Sequence, residues 1–423
     1  MELRPGYKQT EVGVIPVEWD VAPLGRLVTS VEYGSAAKSC TRGLMPVLRM
    51  GNLQSGRIDW NDLVYTDDEQ EIAKYALRPG DVLFNRTNTI DLVGKTSIYA
   101  GERPAIFAGY LIRVNVNKDK LDSRYLNYIL NTELAKKYSL KVLSVAVSQA
   151  NINGQKLKTY PVPLPPTTTE QSAIANALDD ADALLAAQDA LIAKKRAMKQ
   201  GAMQELLTGK RRLPGFSGEW EVKRLGDHLE FLGKGANSRA ELMNDGRVRY
   251  LHYGDIHGTN EVLLNPTITA MPFLPEAKAV RLDRLGDGDL VFADASEDLD
   301  GVGKSVELQS VGKFEVVSGM HTIAVRFDKG ILADGFKAYL QFIPSFQTHL
   351  RRLASGTKVY ATNMSHIASA EVKLPSPAEQ VAISAVLTDM DAELTALEAQ
   401  RAKTVQLKQG MMQALLTGRI RLV

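Results

Sequence analysis

Three kinds of segment in this chain carry residues that do chemistry in enzymes, and each lacks a part that the chemistry needs. Phe231-Leu232-Gly233-Lys234-Gly235 fits the FxGxG loop that cradles adenosylmethionine. Methylation of an exocyclic amine also needs an Asn/Asp-Pro-Pro-aromatic tetrapeptide, and the sole Pro-Pro pair, Pro165-Pro166, lies between Leu164 and Thr167. Gly94-Lys95-Thr96 and Gly303-Lys304-Ser305 resemble the end of a P-loop, whose leading glycine stands five residues before the second one. Thr89 and Asp298 occupy those places, so no phosphate-cradling turn is indicated and the tripeptides read as turns of a repeated fold. Glu221-Val222-Lys223 and Glu371-Val372-Lys373 supply the Glu-x-Lys of a metal-dependent nuclease without its Pro-Asp dipeptide, and read as strand residues.

Metal and thiol chemistry find no better footing. The six histidines form no HExxH pair, and His252 and His257, five apart beside glycines, read as polar loop residues. Cys40 is the single cysteine, which excludes disulfide frameworks, thiolate zinc sites and CxxC redox motifs. No catalytic residue, cofactor site or metal site is therefore assigned to this chain.

The bulk numbers describe a globular protein. With 423 residues and 44% apolar content there is room for two to four domains with their own cores. No window approaches the roughly 18 apolar residues of a membrane span, and Met1 to Gly13 lack the basic-then-apolar layout of a signal peptide, so no membrane partner and a cytoplasmic location are expected. The formal charge of +2 announces no uniformly basic surface. Residues 1–163 carry about +4 and residues 214–373 about −3, so any phosphate contacts must be local or supplied by partners.

The elements that must position any functional residue are set by an internal repeat. Glu170-Gln171 through Leu206 to Gly209 recurs as Glu379-Gln380 through Leu415 to Gly418, at a constant offset of 209 residues. Glu18-Trp19 recurs as Glu219-Trp220, and Gly80-Asp81-Val82-Leu83-Phe84 as Gly288-Asp289-Leu290-Val291-Phe292. The residues between these landmarks differ widely, which implies one fold carrying two different surfaces.

Each repeated block opens with a capping box, Thr167-x-x-Glu170 or Ser376-x-x-Glu379, and Pro377 suits a first helical position. Apolar residues then follow 4-3-4 spacing at Ile174, Leu178, Ala181 and Leu185, and at Ile383, Leu387, Met390, Leu394 and Leu397. Neither block contains an internal proline, so each predicts a helix of about 40 residues, on the order of 60 Å long. The seam weakens toward its end, where Arg401 stands in the place of Ile192. Two equal seams in one chain most simply pack against each other, antiparallel, with the two preceding domains at opposite ends. Those domains read as α+β: short strands such as Met45 to Met50, Asp81 to Asn85 and Ile98 to Tyr99, with helical stretches at Ser123 to Leu140 and Asp334 to Arg352.

This layout resembles the specificity subunits of type I restriction-modification systems. The resemblance rests on Leu164 to Gln171, Leu374 to Gln380, the Met-Gln-x-Leu-Leu-Thr-Gly helix ends at Met203 and Met412, and Gly80 to Asn88. It implies an α+β fold with pseudo-two-fold repeat: target-recognition domains over 1–163 and 214–373, and helical spacers over 164–213 and 374–423 forming an antiparallel coiled coil. It further implies a non-catalytic subunit that binds double-stranded DNA at an asymmetric, interrupted site, one domain per half, and docks two methyltransferase subunits. Endonuclease subunits join in complexes that cut. Adenosylmethionine, ATP and Mg belong to those partners, whose activities are adenine-N6 methylation and ATP-dependent cleavage. The first domain keeps the family's Asn-Arg-Thr-Asn loop at Asn85 to Asn88, whereas the second has Ala293-Asp294-Ala295-Ser296.

Residues able to make paired hydrogen bonds to base edges in the major groove are the candidates for DNA contact. In the first domain these are Asn85, Arg86 and Asn88, then Lys38, Arg42 and Gln149; in the second, Lys234, Asn237, Arg239 and Lys358. The competing expectation is a coiled-coil scaffold or adaptor that binds no DNA, to which the near-neutral charge is suited.

Overall fold

The computed structural model describes residues 5–146 and 149–422. It divides into two compact units, residues 1–189 with 399–423 and residues 190–398. Two helices of 39 residues, Thr168–Leu206 and Pro377–Leu415, are the longest elements. Their starts follow the caps read from the sequence, since the Thr167 and Ser376 hydroxyls accept the Glu170 and Glu379 backbone N–H groups at 3.2 and 3.4 Å. The other half of each capping box is spent differently: both carboxylates bind an arginine from the end of the other long helix.

In the first unit, the antiparallel four-stranded sheet runs in the order Thr96–Ile98, Val82–Asn85, Leu111–Val116, Val28–Tyr33. A three-stranded sheet, Ile106–Phe107, Met45–Leu48, Val64–Thr66, packs beside it. The strands Asp20–Pro23 and Pro161–Leu164 pair antiparallel and deliver the chain into the first long helix. Residues 168–189 of that helix run antiparallel to residues 399–415 of the second, joined by Asp182–Lys408 and Asp189–Arg401 ion pairs. Leu415 and Leu416 enter the core of this unit with Trp19, Tyr125, Ile174 and Leu178.

The second unit repeats the plan. Its five-stranded sheet runs Leu229–Leu232, Thr322–Phe327, Leu290–Ala293, Ser305–Leu308, Leu263–Leu264, and Glu221–Arg224 pairs with Glu371–Leu374 before the second long helix. Both Glu-x-Lys segments are thus partners in one strand pair. Residues 377–398 run antiparallel to 190–206, joined by Lys199–Asp391 and Lys195–Glu393. Leu206 and Leu207 enter the core beside Trp220, Ile383 and Leu387.

Two expected helices are broken, for local reasons. The stretch from Ser123 becomes Ser123–Leu130 and Glu133–Val142, because Thr132 caps the second helix and Asn131 turns away to donate to the Thr96 carbonyl. The stretch from Asp334 becomes a 3-10 helix, Lys337–Phe342, and a helix Pro344–Leu353, since a proline cannot continue the preceding turn.

Each unit is locked at the start of its long helix. The Arg421 guanidinium binds Glu170, which is almost fully buried, and Glu18, and lies 6.0 Å from the Trp19 ring. Arg212 binds the buried Glu379 and lies 5.8 Å from the Trp220 ring. The turns that bring in these arginines pivot on Gly418 and Gly209, both at φ near +70°, where a Cβ would meet the Trp19 or Trp220 ring at 3.1 or 3.3 Å. Arg421→Ala strands a buried carboxylate and is expected to lower stability of the first unit by about 3–5 kcal/mol in urea unfolding. The double variant with Glu170→Gln should lose less than the sum of the two single changes.

Glu307, buried in the second unit, accepts hydrogen bonds from the backbone N–H groups of Gly335 at 2.6 Å and Ala338 at 2.8 Å. Burial pushes its carboxyl up to about 7, against the opposing pull of those donors and of Lys337. Because the folded value lies above the unfolded one, its contribution is fully present below about pH 4.5 and is lost as pH rises through 7. Relative to Glu307→Gln, the native protein should therefore lose about 3 kcal/mol between pH 4.5 and 8, read from paired urea titrations.

Candidate nucleic-acid interface

Alternation of strand direction sends several loops of the first unit to one end of its sheet. There Tyr33 ends one strand, Asn85 ends the next, and Leu111 and Thr96 begin the other two. The opposite end is taken by the helices, where the Gln171 side chain accepts from the Asp122 backbone and Ser172 donates to the Asp122 carboxylate. The loop end gathers residues 34–44, 86–95 and 108–110. The short strand Thr87–Asn88 there pairs with Gln149–Asn151, which pairs in turn with Ser144–Ala146.

Of the candidates in this unit, Lys38, Arg42 and Gln149 are exposed, and Asn88 is half-buried with its side chain accepting from the Thr89 backbone at 2.8 Å. Asn85 is a correction. It is wholly buried, its amide donating to the Leu92 carbonyl at 3.2 Å, so it shapes the 86–95 loop and reaches no base in this conformation. Arg86 stands at the loop end with its guanidinium 4.8 Å from the Tyr33 ring and one Nη donating to the Gly109 carbonyl at 3.3 Å. Lys95 donates to the Gln54 side chain, so the Gly-Lys-Thr tripeptide is a pinned turn.

The second unit presents the same end with different residues. Lys234, Arg239 and Lys358 are exposed and Asn237 is half-buried. Lys234 pairs with Asp294 at 2.9 Å, Arg239 with Asp255 at 2.8 Å, and the Asn237 amide donates to Glu241 at 3.0 Å. Lys358 lies in the exposed turn between Ser355 and Ala361. Lys304 donates to the His257 and Thr259 carbonyls at 2.9 and 2.7 Å, the counterpart of the pinned turn in the first unit.

Beside these lies a ring cluster that includes His252 and His257, the two histidines expected as polar loop residues. Tyr253 packs edge-on to His257 and His321, and His252 lies against it at 4.5 Å. Burial, followed by the Arg239 charge, lowers the His252 pKa, which keeps its Nδ1 free to accept the Gly254 backbone N–H. His321 adds a contact to Asp294 at 3.2 Å. Tyr33, Tyr110, Asp294 and His321 were absent from the sequence candidates. The signal available for Asp294 was its place in Ala293-Asp294-Ala295-Ser296, aligned with Asn85-Arg86-Thr87-Asn88.

Among the described residues no group of three or more His, Cys, Asp or Glu could hold a metal ion. No described helix is long and apolar enough to cross a membrane.

Comparison with known proteins agrees with the repeat. Residues 16–194 match the family model of the type I restriction modification DNA specificity domain. A putative type I restriction enzyme MjaX specificity subunit from Methanocaldococcus jannaschii is 26% identical over 98% of this chain and 96% of its own length. The MjaVIII specificity subunit of the same organism is 28% identical over 49% of each chain. In fold, the chain is similar to the S subunit of a type I restriction-modification system from M. genitalium, with a TM-score of 0.60 at 14% identity over 98% of both chains. Along almost its whole length the chain is thus similar to type I restriction-modification specificity subunits, and residues 16–194 match the DNA specificity domain of that family.

Proposed function

We propose that the loop end of each recognition domain, within residues 1–163 and 214–373, reads one half of an asymmetric, interrupted double-stranded DNA site. The observation that carries this is one scaffold presenting two different sets of side chains at the same sheet end. A symmetric adaptor has no need for that difference; a reader of two unlike half-sites requires it. Base-edge contacts come from Arg86, Asn88 and Gln149 in the first domain and from Lys234, Asn237, Arg239 and Lys358 in the second, with Lys38 and Arg42 placed for phosphate or base.

The spacers 164–213 and 374–423 dock two methyltransferase subunits, and restriction subunits join where the complex cuts. The chain itself is non-catalytic and cytoplasmic; adenosylmethionine, ATP and Mg are bound by the partners. Support for a non-catalytic role is the incomplete methyltransferase, nuclease and P-loop motifs, two of which are occupied by structural turns and a strand pair.

The test is a methylome. The chain is co-expressed with the methyltransferase subunit of its own system in a host lacking adenine methylation, and modified positions are sequenced on single molecules. The expected outcome is a new, non-palindromic, interrupted motif with methyladenine in each half. Absence of any motif, with the methyltransferase present and bound to this chain, counts for the adaptor.

A further inference from the structure

We infer that Arg86 and Asp294 occupy one equivalent reading position in the two domains and set opposite hydrogen-bonding demands on the two half-sites. This deepens the DNA reading proposed above and rests on it. The equivalence is fixed by backbone geometry. Arg86 donates its N–H to the Tyr110 carbonyl and accepts from the Ile152 N–H; Asp294 donates to His321 and accepts from Thr362. The residue before each is held alike, Asn85 by the Lys95 carbonyl and Ala293 by the Lys304 carbonyl. Each residue leads from the central strand of the main sheet into a two-residue strand, Thr87–Asn88 or Ala295–Ser296.

The side chains at that position are opposite in kind. Arg86 is a pure donor, steadied by the Tyr33 face on one side and by the Gly109 carbonyl. Tyr33 is itself fixed, its hydroxyl accepting from the Gly154 N–H at 2.8 Å, and Tyr110 stands exposed beside the arginine's backbone. A planar guanidinium so held suits the O6 and N7 acceptors of guanine. Asp294 is a pure acceptor when ionised. Lys234 takes one carboxylate oxygen and the His321 ring faces the other, and each oxygen keeps a further lone pair. That carboxylate repels guanine acceptors and suits the exocyclic amine of cytosine. The two domains thus engage a G·C pair from opposite strands, which makes the half-sites distinct in orientation as well as sequence.

The experiment compares methylated motifs of the co-expressed complex carrying native protein, Arg86→Gln or Asp294→Asn. Glutamine and asparagine pair with adenine, so each variant should replace one G·C requirement by A·T or by no preference. Discrimination at that position should fall roughly 10- to 100-fold. The change is expected in one half only, a different half for each variant, and the untouched half reports that the complex is intact. Arg86→Ala and Asp294→Ala, which remove the donor fork and the carboxylate acceptor outright, carry the test where an amide variant fails to fold. A native interrupted motif that the variants leave unchanged in both halves overturns this inference alone. A native complex with no interrupted motif overturns the DNA reading and this inference together.

Discussion

A buried carboxylate at the start of each long helix, Glu170 or Glu379, is the constraint on which the rest of the structure depends. Its neutralising arginine, Arg421 or Arg212, comes from just beyond the end of the other long helix. A helix N-terminus favours the anion, and burial makes an unpaired one expensive, so the carboxylate demands that partner. The demand can be met only if the two helices run antiparallel in each unit. The same arginine then lies over a tryptophan from the domain's opening strand region, Trp19 or Trp220, so helix start, helix end and domain entry are fastened at one point.

Because that fastening uses the repeated residues, the recognition domains are relieved of it at their far ends. Gln171 and Gln380 complete the helix side, the latter accepting from the Ala333 N–H and donating to the Ile331 and Pro375 carbonyls. The loop ends carry little of this burden, and there Arg86 with Tyr33 and Tyr110 stands in one domain and Asp294 with Lys234 and His321 in the other. Buried strands such as Val82–Asn85 and Leu290–Ala293 hold these loops in matching backbone geometry while the exposed side chains differ. Binding chemistry can therefore change without cost to the fold.

Local rules made much of this legible in the sequence. Caps, proline absence and apolar spacing located both long helices, and the pinned turns at Gly94 and Gly303 were readable because their residues repeat. The polar continuation of the seam was visible at Arg401, but its reason was not: Asp189 on the facing helix takes that arginine. Side-chain destinations across long sequence distances leave no local trace. Asn85 looked like a base reader because its type is right, yet its position closes a strand, and strand closure buried it. Asp294 looked like a departure from the family's loop, and only the backbone bonds shared with Arg86 reveal it as the same position carrying the opposite chemistry.

In the proposed reading, two separate surfaces of this one chain engage two separate pieces of DNA. It is tested most directly by competition binding of the assembled complex against three oligonucleotides carrying its methylation site: first half scrambled, second half scrambled, or only the spacer scrambled. Either scrambled half should bring a large loss of affinity, and the scrambled spacer should bind with native affinity. Equal binding of all three at fixed salt would contradict it, since contacts to the phosphate backbone alone do not distinguish them.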